Sequence, residues 1–148
     1  MAIEGKASEV IEAPIDEVYA VAADVENSTE WQPEIKDAEV LERDSDGNQV
    51  RVRTQADGKV KTLTSELEFS YDPPTSIRWK QLKGDSKSLV GSWTLEDLGD
   101  GTTKATYEMT VDLGRTLGLV IRGPLVDLLR GQLVDSMPGK LKRHIEGG

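Results

Sequence analysis

The sequence predicts an α+β fold: a seven-stranded, curved antiparallel sheet wrapped around a long C-terminal helix, with two short helices after the first strand. Three observations lead there. The chain has seven aromatic residues (three Trp, three Tyr, one Phe), and five of them, Phe69, Tyr71, Trp79, Trp93 and Tyr107, fall on one face once the hairpins are drawn. A series of turn signals divides the middle of the chain into segments with a period of two. Beyond Leu113-Gly114 the period changes to that of a helix, in a leucine-rich tail.

The elements follow in order. Ile3 to Glu12 is compatible with a strand, although its apolar spacing leaves the buried face open. Ala13-Pro14 marks a boundary, because proline suits the first helical turn and the residue before it avoids helical angles. Val18, Val21, Ala22 and Val25 then recur at helical spacing, with Asp16 and Glu17 placed favourably for the helix dipole. Asn27 and Glu30 have the spacing of a capping box, predicting a second short helix that ends by Pro33.

From Asp37 the alternation is that of strands. Val50, Val52 and Thr54 take one face, and Asp57-Gly58 is the signature of a two-residue hairpin that sets Val52 against Leu63 and Thr54 against Lys61. Leu63, Ser65, Leu67, Phe69 and Tyr71 share the inner face. After Asp72-Pro73-Pro74, Tyr71 faces Ile77, Phe69 faces Trp79, and Glu68 meets Lys80 outside. The loop at Gly84-Asp85-Ser86 sets Gln81 against Leu89, Trp79 against Gly91 and Ile77 against Trp93; the loop from Asp97 to Gly101 sets Trp93 against Ala105 and Gly91 against Tyr107. Every hairpin returns the rings to the same side, and a one-residue slip would turn a strand inside out.

In the tail, Leu117, Ile121, Leu125, Leu128, Leu129, Leu133, Met137 and Leu141 predict a short helix, a break at Pro124, a longer helix, and a bend or end near Pro138. No other segment is long and apolar enough to cover the aromatic face.

Composition bounds the function. At 148 residues, with 36% hydrophobic and 30% charged residues, the chain reads as one domain, 1–148, with a sizeable core. The N-terminus lacks the pattern of a secretory signal, and no apolar run approaches the roughly 20 residues of a membrane span, which predicts a cytoplasmic protein. There is no cysteine, which excludes disulfides and thiolate chemistry. The net charge is -9, and residues 1–48 carry 3 basic and 14 acidic side chains, a poor field for nucleic acid. The basic run Lys140, Lys142, Arg143 and His144 reads as a solvated helix end, or else as a docking patch for an anionic lipid or a protein partner. A monomer or weak homodimer is expected.

Taken in order, Ala13-Pro14 with Val18-Tyr19 and Asp24, Trp31-Gln32-Pro33-Glu34-Ile35, Tyr71-Asp72-Pro73-Pro74 with Ile77 and Trp79, and Gly91-Ser92-Trp93-Thr94-Leu95 leading to Gly101-Thr102-Thr103 and Tyr107 resemble the START-like (SRPBCC, Bet v 1-like) helix-grip superfamily, of the polyketide cyclase/dehydrase and lipid-transport type. The resemblance covers nearly the whole chain. It implies a cavity between sheet and C-terminal helix that holds lipids, sterols, quinones, polyketides or plant hormones. Pro138-Gly139 in the last helix departs from the pattern.

The inward side chains either mesh as a dry core or leave a cavity. The expected lining is Val52, Leu63, Leu67, Phe69, Trp79, Gln81, Gly91, Trp93, Tyr107 and Met109 from the sheet, Leu117, Ile121, Leu125 and Leu128 from the cover, and Trp31 at one end. Gly91 leaves room for a guest in this reading. Thr54, Lys61, Ser65, Gln81 and the Tyr71 and Tyr107 hydroxyls are the inner polar groups, with Lys61 at the mouth. No catalytic residue, metal ligand or cofactor is assigned: Glu66, Glu68 and Glu108 take the outer parity, and the single histidine, His144, lies in the polar tail. The reading is reversible binding, sequestration or transport of a hydrophobic small molecule. An aromatic polyketide cyclase/dehydrase using Tyr107 or Tyr71 as an acid, and a regulatory or toxin-like protein-interaction module, are the alternatives.

Overall fold

The computed structural model describes residues 2–147. In chain order the elements are β1 (Ala2–Ile11), α1 (Ile15–Ala23), a 3-10 helix (Val25–Glu30), β2 (Ile35–Arg43), β3 (Gln49–Asp57), β4 (Thr62–Asp72), β5 (Ser76–Gly84), β6 (Ser88–Asp97), β7 (Thr103–Asp112), α2 (Gly114–Val120), α3 (Pro124–Arg130), a π turn (Gly131–Asp135) and α4 (Met137–Gly147). The strands form one antiparallel sheet in the order β1-β7-β6-β5-β4-β3-β2, so consecutive strands from β2 to β7 are hairpin neighbours and β1 closes beside β7.

β1 buries Ile3 and Ile11 with the odd-numbered face, the choice that its apolar spacing left open. The predicted pairs Tyr71–Ile77, Phe69–Trp79, Glu68–Lys80, Trp79–Gly91 and Ile77–Trp93 are all present. Two hairpins differ in register. Val52 lies opposite Leu67 and Thr54 opposite Ser65, because Asp57-Gly58 is not a two-residue turn. Residues 58–61 form the connection instead, with Lys59 at φ 70°, its N–H on the Asp57 carboxylate at 2.8 Å, and the Gly58 N–H on the Lys61 carbonyl at 3.0 Å. Lys61 is therefore an exposed loop residue rather than an inner one.

The other shift is at β6–β7, where Trp93 lies opposite Tyr107 and Gly91 opposite Met109. Here Asp97 pairs with Thr103, and the loop between them turns on Gly99 and Gly101 at φ 88° and 84°. Both shifts are by an even number of residues, so no side chain changes face. The paired register of β5 and β6 ends at Lys80–Val90, short of the expected Gln81–Leu89 pair. The Asn27–Glu30 capping box is absent: Asn27 lies inside the 3-10 helix and its amide donates to Asp24 at 2.7 Å.

The tail is helical from Pro124 to Gly147, with a π turn where a bend or end was expected. Pro138 has no N–H for the Val134 carbonyl, and in a regular α-helix its ring would strike that carbonyl. The coil widens just before it: Ser136 N–H bonds to Gly131 O at 2.9 Å, and the α-pattern resumes with Lys140 N–H to Ser136 O at 3.0 Å.

The tail packs on β1 and β7. It also binds the outer edge of β1: Arg130 donates to Glu4 O (3.0 Å), Lys142 donates to Val10 O (2.7 Å), and the Glu12 N–H donates to the Glu146 carboxylate (2.9 Å). Beneath the π turn, Gly5 permits close approach, because a Cβ there would lie 2.9 Å from Asp135 Oδ1 and 3.1 Å from Val134 Cγ1. Val134 is fully buried and has nowhere to retreat. Gly5→Val is expected to destabilise the protein by about 1–3 kcal/mol through overpacking, seen as a lower urea midpoint with an unchanged m-value.

Candidate functional site

Alternation along β4 to β7 brings Leu63, Leu67, Phe69, Trp79, Trp93, Tyr107 and Met109 to one face, and all seven line a partly open cavity of about 130 Å³. The 3-10 helix and its flanks close one side with Ala22, Val25, Ser28, Gln32 and Ile35, and Leu133 and Met137 close another from the tail. The rings hold each other in place: Phe69 and Trp79 are 5.6 Å apart, Trp79 and Tyr107 5.5 Å, and Trp93 and Tyr107 4.7 Å edge to face.

The other expected lining residues lie elsewhere. Val52, Leu117 and Ile121 are core residues away from the cavity wall. Gln81 stands behind the wall and ties it together, accepting from Ser65 Oγ at 3.0 Å and donating to Ser86 O at 2.8 Å. Gly91 leaves no room for a guest: a Cβ there would meet the Trp79 indole at 2.5 Å, so the glycine seats that ring. Leu125 is only half-buried and Leu128 is 46% exposed; Val126 and Leu129 are buried in their place. The series from Leu117 through Leu128 carried one spacing across the break expected at Pro124, whereas the chain leaves α2 at Ile121 and turns through Gly123 at φ 62°, which changes the phase of α3.

Trp31 lies outside the wall, buried between Trp93 (6.3 Å) and His144 (6.4 Å, stacked). His144 is therefore a packing partner rather than a solvated tail residue. Nor is the basic run a free helix end. Lys140 Nζ lies 2.7 Å from Glu34 Oε2 and donates to Gln132 O at 2.6 Å, with both ionic side chains at most 15% exposed, while Lys142 pairs with Glu146. The Glu34–Lys140 pair ties the Gln32–Ile35 wall to the Leu133–Met137 wall.

Sequence reasoning expected the N-terminal helical region to close one end through Trp31 and missed the side chains that do line the cavity from there, although the stripe containing Ala22 and Val25 was visible and needed a surface to cover. Ile3, Thr54, Ala56, Ser86, Leu89, Val111 and Leu113 also line the cavity. No charged side chain does so among the described residues. The polar lining is neutral, and Tyr107 is its titratable group. Burial pushes the Tyr107 phenol well above its ordinary value, and among the described residues its hydroxyl meets only Met109 Sδ, at 3.5 Å. Tyr71 is likewise raised, first by burial, and donates to Gln49 O at 2.6 Å.

A sheet gripping a terminal helix around an aromatic-walled cavity defines a START/Bet v 1-like helix-grip protein. Residues 11–137 match the family described as polyketide cyclase / dehydrase and lipid transport, and the chain belongs to it. Solved structures agree on the fold. A START superfamily protein from Mycobacterium smegmatis superposes with a TM-score of 0.83 at 19% identity, covering 97% of each chain. A protein from Thermus thermophilus gives 0.78 at 23% identity, covering 98% of this chain and 99% of the other. The Zhui aromatase/cyclase from a Streptomyces species gives 0.67 at 21% identity, covering 99% of this chain and 84% of the other. No curated protein matches the sequence significantly.

Breaking the near-buried ion pair on one side strands its partner. Glu34→Leu or Lys140→Met is expected to cost about 3 kcal/mol each, and the double variant clearly less than their sum, measured by chemical denaturation as a double-mutant cycle. The raised Tyr107 phenol makes the folded state hold its proton more tightly than the unfolded chain, whose reference value is 10.0. Its contribution to stability is therefore complete below pH 10 and is lost as the pH rises beyond it. Alkaline titration should show tyrosinate absorbance from Tyr107 only as the protein unfolds, and Tyr107→Phe should flatten the alkaline loss of stability.

Proposed function

We propose that this protein reversibly binds a hydrophobic small molecule, of lipid, quinone or polyketide-like character, in the cavity between the sheet and the C-terminal helices, sequestering or transporting it. The aromatic-walled, largely apolar cavity is the observation that carries this reading. A buried apolar cavity of about 150 Å³ is known to stay dry and accept benzene, so the volume here matches a single ring. Typical ligand sites run from about 300 Å³ upward, so a longer guest requires the wall to open. α2 is the segment suited to that movement: Gly114 and Gly123 bracket it at φ 76° and 62°, and it starts next to Leu113 on the cavity wall.

Chemistry in the cavity has less support. The titratable group on the wall is Tyr107, and burial holds its proton. A phenol made less acidic is a poor proton donor at neutral pH. The aromatase/cyclase neighbours share the fold at low identity, which does not by itself extend their activity to this cavity.

Native mass spectrometry of the purified protein is expected to reveal a co-purified lipophile, or the protein to take up the neutral dye N-phenylnaphthylamine with enhanced emission. Leu133→Trp, which projects an indole from the tail into the cavity, should reduce uptake about tenfold while circular dichroism stays unchanged. Failure of every apolar probe to bind would refute the reading.

A further inference from the structure

The cavity wall distinguishes among hydrophobic guests. Its polar side chains, including Ser28, Gln32, Thr54, Ser65 and Ser86, are neutral, and no cation faces it among the described residues. The nearby Lys140 ammonium is already committed to Glu34 and to the Gln132 carbonyl. A guest carrying a carboxylate would bury its charge without a counter-ion, at a cost far exceeding that of an unmet neutral group.

Tyr107 adds a positive preference. Its ring is fixed between Trp79 and Trp93, and the residue is 7% exposed. Its hydroxyl is a good donor whose only partner among the described residues is a thioether, a weak acceptor, at 3.5 Å. The Ser65 hydroxyl, by contrast, is already satisfied by Gln81. An oxygen acceptor brought in by a guest would displace the sulfur and give this buried donor a full hydrogen bond.

We infer that the cavity selects an uncharged guest bearing a carbonyl or similar acceptor oxygen, anchored by a hydrogen bond from the Tyr107 hydroxyl; this rests on the cavity being a binding site. Three single-ring probes of similar shape test it: acetophenone, ethylbenzene and the benzoate anion at neutral pH, titrated by calorimetry into the native protein and variants. Acetophenone should bind tightest and benzoate weakest. Tyr107→Phe should weaken acetophenone by about fivefold and leave ethylbenzene unchanged. Met109→Leu, which removes the competing thioether and keeps the donor, should hold or improve acetophenone binding, and it serves as the test if the phenylalanine variant fails to fold. Benzoate binding as tightly as acetophenone, equal effects of Tyr107→Phe on acetophenone and ethylbenzene, or loss of acetophenone binding in Met109→Leu would overturn the inference while leaving the cavity a binding site. Binding of none of the three would remove the underlying reading as well.

Discussion

An unbroken row of rings organises this molecule. From Tyr71 it runs through Phe69, Trp79, Tyr107, Trp93 and Trp31 to His144, each centroid within 6.4 Å of the next. The row crosses β4, β5, β7 and β6, continues at the end of the 3-10 helix, and reaches α4. Each ring is rigid and can stack only from one face of its strand, so the row couples the parity of four strands to the position of the terminal helix. The cavity wall, the confinement of Tyr107 and the seat that Gly91 provides for Trp79 all depend on that coupling.

The sheet was legible because side-chain alternation has a period of two and successive hairpins had to agree on it. Turn chemistry was less informative. Asp57-Gly58 has the composition of a tight hairpin, yet the connection there takes four residues and places the positive φ on Lys59. Parity survived because the displacement was even, which is why the inner face could be read correctly while Val52 and Trp93 were matched with the wrong partners. The tail was harder for a different reason. Helical periodicity is readable only within one uninterrupted helix: the turn through Gly123 resets the phase before α3, which is how Leu128 was taken for a buried residue, and the π turn resets it again before α4.

The sheet side of the cavity followed from the same alternation, and the remaining walls did not. Ala22, Val25, Gln32 and Ile35 come from short segments whose orientation depends on long-range contacts such as Glu34 to Lys140, separated by 106 residues. Local pattern carries no information about such a pair. The basic cluster shows the same limit: on sequence grounds Lys140 and His144 belong to a solvated end, but the fold brings an acidic residue and an indole to meet them. Gln81 was selected for its inward parity, but its role is to fasten Ser65 to the Ser86 carbonyl behind the wall.

The side chains of the tail that reach across to β1 have an effect beyond holding the helix. An open sheet ends in a rim of unpaired peptide groups, a template onto which a strand from another molecule can add. On the β1 side, the carbonyls of Glu4 and Val10 and the amide of Glu12 are already engaged by Arg130, Lys142 and Glu146. The opposite rim, β2, instead presents the exposed charges of Lys36, Asp37, Glu39, Glu42 and Arg43. One border is thus partly occupied and the other charged, and both features work against the annealing of an incoming strand.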